Sequence, residues 1–535
     1  MLKTALEWEN LRFVKLQSEP SGGTPKRKAV GSNPAEDASG KPPHRILRST
    51  FVGRNFLFYV SILNRLFFYS AQLMNDRVEK SGGMEYNVFV SEKSGDGSMK
   101  KFFTILVCKF LRFIGGLVGK GSSLPGQVAL KMCPDILSRV ELPEYIIAVT
   151  GSNGKTSTVE MIAHILTENG KTVAWNKEGS NQIEGVTTLV LGSSSLGGKV
   201  KKDILLIESD ERFAKYTFKY IKPTHYVITN LYRDQLTRNG HPEWVFDALK
   251  DSIYPETQLI LNADDPLVSL FGEGRDVIWF GADKLSSDTK ELDSVYNDGA
   301  YCPKCKSPMT YTTHHYNHIG HYECTSCGYK RHDTKYTITS VDLDEGEMVI
   351  DGSNKITLAL RSLYNIYNIL AAYTVASIVG IDGKKIASDM SDYVMKNGRV
   401  ITFEIGSRQG TMLTSKHENS ISYDQSIRLA CAEKNGCDVM FIVDAVSRKY
   451  FTSDVSWLWD IDFEMLKSEN VHEIILSGTY YNDLAVRFEH TDIPEDKIKI
   501  IPEIEKAYHY LDSDRKEYIY VITCFSDKGK FLALL

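Results

Sequence analysis

The 535-residue chain lacks an excess of basic residues, an even, disulfide-like set of cysteines, and an apolar run long and uncharged enough to cross a bilayer. Lys and Arg total 63 against 68 Asp and Glu, a formal net charge of −5, so bulk electrostatics offers no footprint for gripping nucleic acid. Nine cysteines scattered through so long a chain argue against a disulfide scaffold and for reduced, intracellular usage, with a cytosolic enzyme as the default. Two apolar stretches, "NFLFYVSILNRLFFYSAQLM" from Asn55 and "KKFFTILVCKFLRFIGGLVGKG" from Lys100, carry Arg65 and Lys109 with Arg112 respectively. Neither supplies the roughly 18 uncharged residues of a spanning helix. Each is expected to pack on protein or lie at an interface.

What is present falls into zones. Residues 1–98 include "SEPSGGTPKRKAVGSNPAEDASGKPP", rich in Ser, Gly, Pro and Lys, and read as a disordered or non-native N-terminal extension. "MKKFFTILVCKFLRF" begins at Met99 like a fresh start, and 99–140 reads as an N-terminal helical segment. From Glu141 apolar runs such as "EYIIAVT", "DILLIESD", "THYVITN" and "TQLILNADD" alternate with amphipathic stretches. That pattern predicts an α/β class with a largely parallel sheet covered on both faces, over 141–396. A second alternation ("DVMFIVDAV", "VHEIILSG", "KIKIIP", "EYIYVITC") predicts a Rossmann-like α/β C-terminal domain over 397–535.

Within the first zone, residues 300–330 interrupt the alternation. Cys302, Cys305, Cys324 and Cys327 form CxxC, eighteen residues, CxxC. Each CxxC turn can aim two thiolates at one ion, so a four-cysteine zinc-ribbon insertion is expected. His314, His315, His318 and His321 lie between the pairs, but four thiolates already close a tetrahedral shell and leave no place for a reacting water.

"VTGSNGKTST" follows a strand and opens a helix. Gly151 and Gly154 let the backbone N–H groups of Ser152 and Asn153 face a phosphate, Lys155 reaches outer phosphates, and Thr156 and Ser157 open the helix, Thr156 with a hydroxyl for Mg2+. "LLIESDE" ends the next buried run, and a carboxylate beside a phosphate loop is where Mg2+ is held, so Glu208 is the metal candidate. Asp210 and Glu211 read as a solvated acidic turn.

Taken with "TNLYRDQLTRNG" (229–240), "LNADDP" (261–266), "LYNIYNILAA" (363–372) and "NGRVITFE" (397–404), these motifs resemble the Mur ligase superfamily. The four-cysteine insertion and "DVSWLWDIDFE" (454–464) resemble the subgroup that forms the ligase-like subunit of lipid II isoglutaminyl synthase. The resemblance covers about residues 99–535 and implies a Mur ligase central ATPase domain. It implies that ATP and Mg2+ activate a carboxylate, the α-carboxylate of D-glutamate in lipid II, for attack by ammonia. The ATP site would comprise Gly151, Ser152, Asn153, Gly154, Lys155, Thr156 and Ser157, with Asn365 and Asn368 near the base, and Mg2+ on Thr156 and Glu208. Asn230 and Asp234 lie in a family loop facing the reacting groups.

Ammonia needs a source. A chain making its own requires an activated cysteine on a sharp turn, and Cys431, Cys437 and Cys524 lack that setting, so the glutaminase is expected in a partner. The resemblance implies a GatD-like glutamine amidotransferase whose cysteine and histidine are completed by a carboxylate of this chain, Asp454, with Trp457 and Trp459 as interface or core anchors. Asp460 and Asp462 compete for that role, and an N-cap is the plainer reading of Asp454. "SKHENSISYDQS" (415–426) and "VDAVSRKYFTSD" depart from the subgroup's usual pattern, although Lys416 is retained. Action at the inner face of the bacterial membrane follows from the lipid substrate. The alternatives are a stand-alone Mur or folylpolyglutamate-type amino-acid ligase, and a zinc-ribbon NTPase binding nucleic acid.

Overall fold

The computed structural model describes residues 96–117, 122–177, 179–234, 241–292, 294–395, 399–416, 418–444, 454–513 and 515–535. Of the expected extension 1–98, residues 1–95, with the apolar stretch from Asn55, lie outside them; 96–98 are helical and open the helix Asp96–Leu117, three residues before the expected start at Met99. Also outside are 235–240 of the "TNLYRDQLTRNG" motif, 397 and 398 of the "NGRVITFE" motif and 445–453 before Asp454.

Strands covered on both faces must be apolar throughout, and the apolar runs of the sequence become such strands. In chain order they are β1 (Tyr145–Thr150), β2 (Val173–Trp175), β3 (Ile204–Glu208), β4 (His225–Ile228), β5 (Gln258–Asn262), β6 (Val277–Ala282), β7 (Thr310–Tyr316), β8 (Ile319–Glu323), β9 (Tyr336–Asp342), β10 (Glu347–Ile350), β11 (Asn354–Thr357), β12 (Val400–Ile405), β13 (Arg408–Ser415), β14 (Cys437–Ile442), β15 (Val471–Ser477), β16 (Ile498–Ile500) and β17 (Tyr518–Cys524). The first sheet has nine strands in the order β11-β10-β9-β6-β5-β4-β1-β3-β2. Its pairs from β2 through β9 are parallel, and β10 and β11 add an antiparallel edge.

Helices Lys155–Glu168 and Leu363–Ile378 cover one face, burying Val159, Ile162, Ile366 and Leu370 against Ile147, Val149 and Val227. On the other face, helices Asp96–Leu117, Leu124–Met132 and Ile183–Ser193 share a core of Ile105, Cys108, Ala129, Val186 and Val190 with Leu205 and Ile207 of β3. A second sheet of six strands, β12-β13-β17-β14-β15-β16, is parallel except for the β12–β13 hairpin. Deep in it, Arg408 is 1 % exposed and donates to Asp438 at 2.7 Å, Glu517 O at 2.9 Å and Leu511 O at 3.1 Å. These bonds satisfy a charge that burial would otherwise penalise by several kcal/mol.

The cysteine segment lies between β6 and β9, which pair directly. It is an insertion at a crossover, as the interrupted alternation predicts. The β7–β8 hairpin inside it was not expected.

Candidate active site and metal centre

Because β1 is flanked by β3 on one side and β4 on the other, the chain leaves its carboxyl end at the point where strand order reverses. That crevice is where open α/β sheets bind ligands. Three segments meet there: the loop after β1, Glu208 at the end of β3 opposite Val149, and the residues after β4.

The loop after β1 is held in a tight coil. Gly151 (φ 144°) and Gly154 (φ 82°) occupy backbone space that favours glycine. A Cβ at Gly151 would fall 2.2 Å from Thr229 Oγ1, and one at Gly154 would fall 2.0 Å from Asn368 Oδ1. Ser152 N donates to Asn230 O at 2.9 Å, and Ser152 Oγ donates to Tyr232 O at 2.9 Å. Asn153 N donates to Asn230 Oδ1 at 2.9 Å. The helix beginning at Lys155 thus presents its N-terminus to the cleft, with Thr156 lining it and Ser157 buried.

Lys155 Nζ donates to Glu211 Oε2 at 2.8 Å and contacts Gly151 O. Glu211 and Asp210 are buried, which corrects the solvated-turn reading of both. The turn after β3 folds inward because Lys155 needs a counter-charge. Burial alone would push the Lys155 ammonium down, yet the charges of Glu211 and Asp234 raise it above the ordinary lysine value. For Glu211, burial is likewise outweighed by Lys155 and Lys416, which hold its carboxyl below the usual range. Glu208 remains directed at the cleft and accepts from Asn181 Nδ2 at 3.3 Å.

The second sheet closes the cleft, a cavity of about 440 Å³ lined by Lys155, Thr156, Glu208 and, from across the gap, Arg399, Lys416 and Gln425. Lys416 Nζ lies 3.2 Å from Asp234 Oδ2 and 3.2 Å from Ser152 O. Desolvation in the cleft pushes this ammonium below its usual value despite the Asp234 charge. Asn419, missed at the level of sequence, exchanges bonds with Asn153 (2.8 and 2.7 Å) and donates to Asp234 Oδ1 at 2.7 Å. It also accepts from Ser422 N, capping the helix Ser420–Cys431. Its signal was an Asx residue before a helix, and nothing local betrays a partner 266 positions away.

Asn368 Oδ1 accepts from Thr158 Oγ1 at 3.3 Å, while its Nδ2 and Asn365 Oδ1 are buried without partners. Neither residue lines the cleft; Asn368 lies behind the phosphate loop at Gly154, and the two amides retain unused capacity to donate and to accept.

In the insertion, Cys302 Sγ and Cys327 Sγ are 3.7 Å apart, and Cys305 Sγ and Cys324 Sγ 3.5 Å. Bonds of about 2.3 Å to one tetrahedral zinc place sulfurs about 3.8 Å apart, so the four thiols fit the ion. Each knuckle closes in the same way: Lys306 N donates to Cys302 O and Gly328 N to Cys324 O, both at 2.9 Å. Residues Lys306 (φ 62°) and Gly328 (φ 71°) turn left-handed there.

The four histidines belong elsewhere. His315 Nδ1 sits 2.6 Å from Asp288 Oδ1, and His318 Nε2 lies 3.7 Å from Asp265 Oδ2. Asp264 converges with His315 and His321, but its oxygens already accept from Arg331, Tyr367 OH and Ala282 N. The hairpin is therefore clamped onto the "LNADDP" aspartates. Asp265 in turn accepts from Leu231 N at 2.8 Å and caps the helix Pro266–Ser269. The insertion thus buttresses the loop that bears Asn230 and Asp234.

Asp454 is exposed, and its Oδ1 accepts from Ser456 N at 2.9 Å, an Asx-type turn; the N-cap position of the turn Ser456–Asp460 is Val455, which corrects the N-cap reading of Asp454. That bond holds its carboxyl below the usual range. Trp457 is buried against Tyr423, whereas Trp459 is 47 % exposed. Asp460 turns the other way, 3.4 Å from Arg233 of the first sheet's domain. Asp462 N donates to Asp424 Oδ1, tying that segment to the helix Ser420–Cys431.

These features define a class. Solved structures with the same architecture include a pseudomurein peptide ligase type C from Methanothermus fervidus, with TM-score 0.58, 20 % identity and coverage of 75 % of this chain and 80 % of that one. MurF from Acinetobacter baumannii gives TM-score 0.53 at 15 % identity, covering 76 % and 80 %. The Mur ligase middle domain model matches residues 149–301, so the fold is that of the Mur ligases.

The MurT ligase C-terminal model matches residues 417–527. The MurT subunit of lipid II isoglutaminyl synthase (glutamine-hydrolyzing) from Streptococcus pneumoniae is 31 % identical over 444 residues, 82 % of this chain and 97 % of that protein. Its Staphylococcus aureus counterpart is 31 % identical over 76 % of this chain and 90 % of its own length. The chain belongs to the MurT family.

Proposed function

We propose that the chain is the ligase subunit of a lipid II isoglutaminyl synthase, amidating the α-carboxylate of D-glutamate in the stem peptide with ammonia from a GatD-like glutaminase. The observation that carries this reading is the convergence of phosphate loop, Glu208 and Lys416 in one cleft between the two sheets. The central ATP-binding domain would span 141–396 with its zinc ribbon at 300–330, and the C-terminal domain 397–535.

Bound MgATP would supply the phosphoryl group that activates the carboxylate. Lys155 and the N–H groups that open its helix would hold its phosphates, since Ser152 N and Asn153 N, expected to face a phosphate, are bound to Asn230 instead; Thr156 and Glu208 would hold the magnesium, and Asn365 and Asn368 the base. Lys416 and Asp234 stand where the reacting carboxylate would enter, so their pair would position it and balance its charge.

Two further facts favour a separate glutaminase. Burial pushes the Cys108 and Cys431 thiols up to about 11 and raises Cys437 and Cys524 as well, the opposite of an activated nucleophile. Asp454 and Trp459 share an exposed turn suited to completing a partner's histidine. No helix among the described residues is long and apolar enough to cross a membrane, and the reaction is placed at the inner membrane face because lipid II resides there.

Purified chain and partner, given lipid II, MgATP and glutamine, should yield a product lighter by the acid-to-amide mass change. Amino-acid addition by the isolated chain would overturn the reading.

A further inference from the structure

The helix Asp96–Leu117 buries only one side. Thr104, Ile105 and Cys108 face the core, while Met99 (53 % exposed), Phe103 (50 %), Phe110 (44 %) and Phe113 (69 %), with Phe102 and Leu106, stand in solvent. At 100° per residue, positions 99, 102, 103, 106, 110 and 113 fall within a stripe about 100° wide. Four phenylalanines, a leucine and a methionine on one continuous outward face exceed the scattered apolar exposure of an ordinary surface.

The charge along the helix is strongly biased. After Asp96 at its first position, the sequence to Pro134 holds Lys100, Lys101, Lys109, Arg112, Lys120 and Lys131 and no acidic residue. Lys101 lies along Gly198, Lys109 Nζ donates to Gly192 O at 2.8 Å, and Arg112 abuts Gly192. These contacts turn Lys101 and Arg112 toward the protein, while by the same 100° spacing Lys109 and Lys100 fall on the two sides of the stripe. Arg112, Lys177 and Lys202 also line a second cavity of about 220 Å³ on that side, and Lys177 is shared with the active-site cleft.

We propose that this helix is an interfacial membrane anchor, lying in the plane of an anionic phospholipid bilayer with Met99, Phe103, Leu106, Phe110 and Phe113 among the acyl chains and the flanking lysines at the headgroups. An aromatic stripe bordered by cations is the pattern of a helix held by apolar burial plus attraction to anionic lipid. A protein partner covering the same face would not require the excess of positive charge along it. The inference rests on the helix itself and holds whether or not the substrate is lipid II.

Sedimentation of the full chain with vesicles tests it. Strong pelleting is expected with phosphatidylglycerol-containing vesicles, weaker pelleting with phosphatidylcholine alone, and a decline with added salt. Phe103→Glu with Phe110→Glu should cut vesicle binding by about tenfold or more while leaving the melting temperature and ATP hydrolysis in detergent unchanged. A Phe110→Trp variant should gain an emission component that shifts to the blue with vesicles and is quenched by brominated lipid. Failure of the wild-type chain to pellet, an added emission that vesicles do not shift, or unchanged pelleting by the glutamate variant overturns the anchor. Because lipid II amidation in detergent is read separately, the ligase reading stands or falls on its own.

Discussion

Lys155 Nζ and Glu211 Oε2 are 2.8 Å apart, and their side chains are only 5 % and 2 % exposed. Under the proposed function, a phosphate entering the loop would meet an ammonium that already has a buried partner. Glu211 keeps the loop from holding an uncompensated buried charge, and would share Lys155 with a bound nucleotide.

Glu211→Gln should destabilise the fold by about 3 kcal/mol, the scale for stranding one member of a buried pair. Thermal melts with and without MgATP should show a larger nucleotide-induced gain in the variant than in the wild type. The depressed Glu211 carboxyl contributes stability that is complete above about pH 4.3, its unfolded value, and is lost as pH falls through its lower folded value. The raised Lys155 contributes stability that is complete below about pH 10.4 and is lost as pH rises through its higher folded value. Acid unfolding of Glu211→Gln should lack the first component.

Asn419→Ala leaves the Asn153 amide and one Asp234 oxygen short of a partner across the domain gap. An unsatisfied buried polar group costs about 1–3 kcal/mol. Steady-state kinetics should show kcat/KM for ATP reduced about ten- to a hundredfold, with the partner's glutaminase intact.

Cys302→Ser or exhaustive chelation should remove one zinc per chain by elemental analysis. The β7–β8 hairpin should then loosen from Asp264 and Asp265, and hydrogen exchange should rise at residues 229–234 as well as in the hairpin. Protection at 229–234 that does not change on zinc loss would refute the buttress.

Asp454→Asn keeps an oxygen to accept from Ser456 N but removes the charge. Nucleotide binding should be unchanged and glutamine hydrolysis by the assembled complex abolished, while Lys155→Ala should stop ligation and spare the glutaminase. Full glutaminase activity in Asp454→Asn would end the proposed role in trans.

The sheet, the phosphate loop and the thiol cluster were legible because each is written locally: apolar runs, glycines before a lysine, cysteines in pairs. Glu208 was legible as the carboxylate ending a strand. Glu211 was misread because its burial depends on Lys155, 56 residues earlier, and an acidic turn without its partner looks solvated. Asn419 and the clamp of His315, His318 and Arg331 on the aspartates were hidden for the same reason. Lys416 could be found as a residue but not as a contact, since its partner Asp234 lies 182 positions away.

The knuckles of the insertion also reach further than their own hairpin. Asp265 receives Leu231 N from one side and faces His318 from the other, while Asn230 of the same loop holds Ser152 N and Asn153 N. A single relay of contacts therefore runs from the thiol cluster to the phosphate loop, and a change at either end is felt along one continuous wall of the cleft.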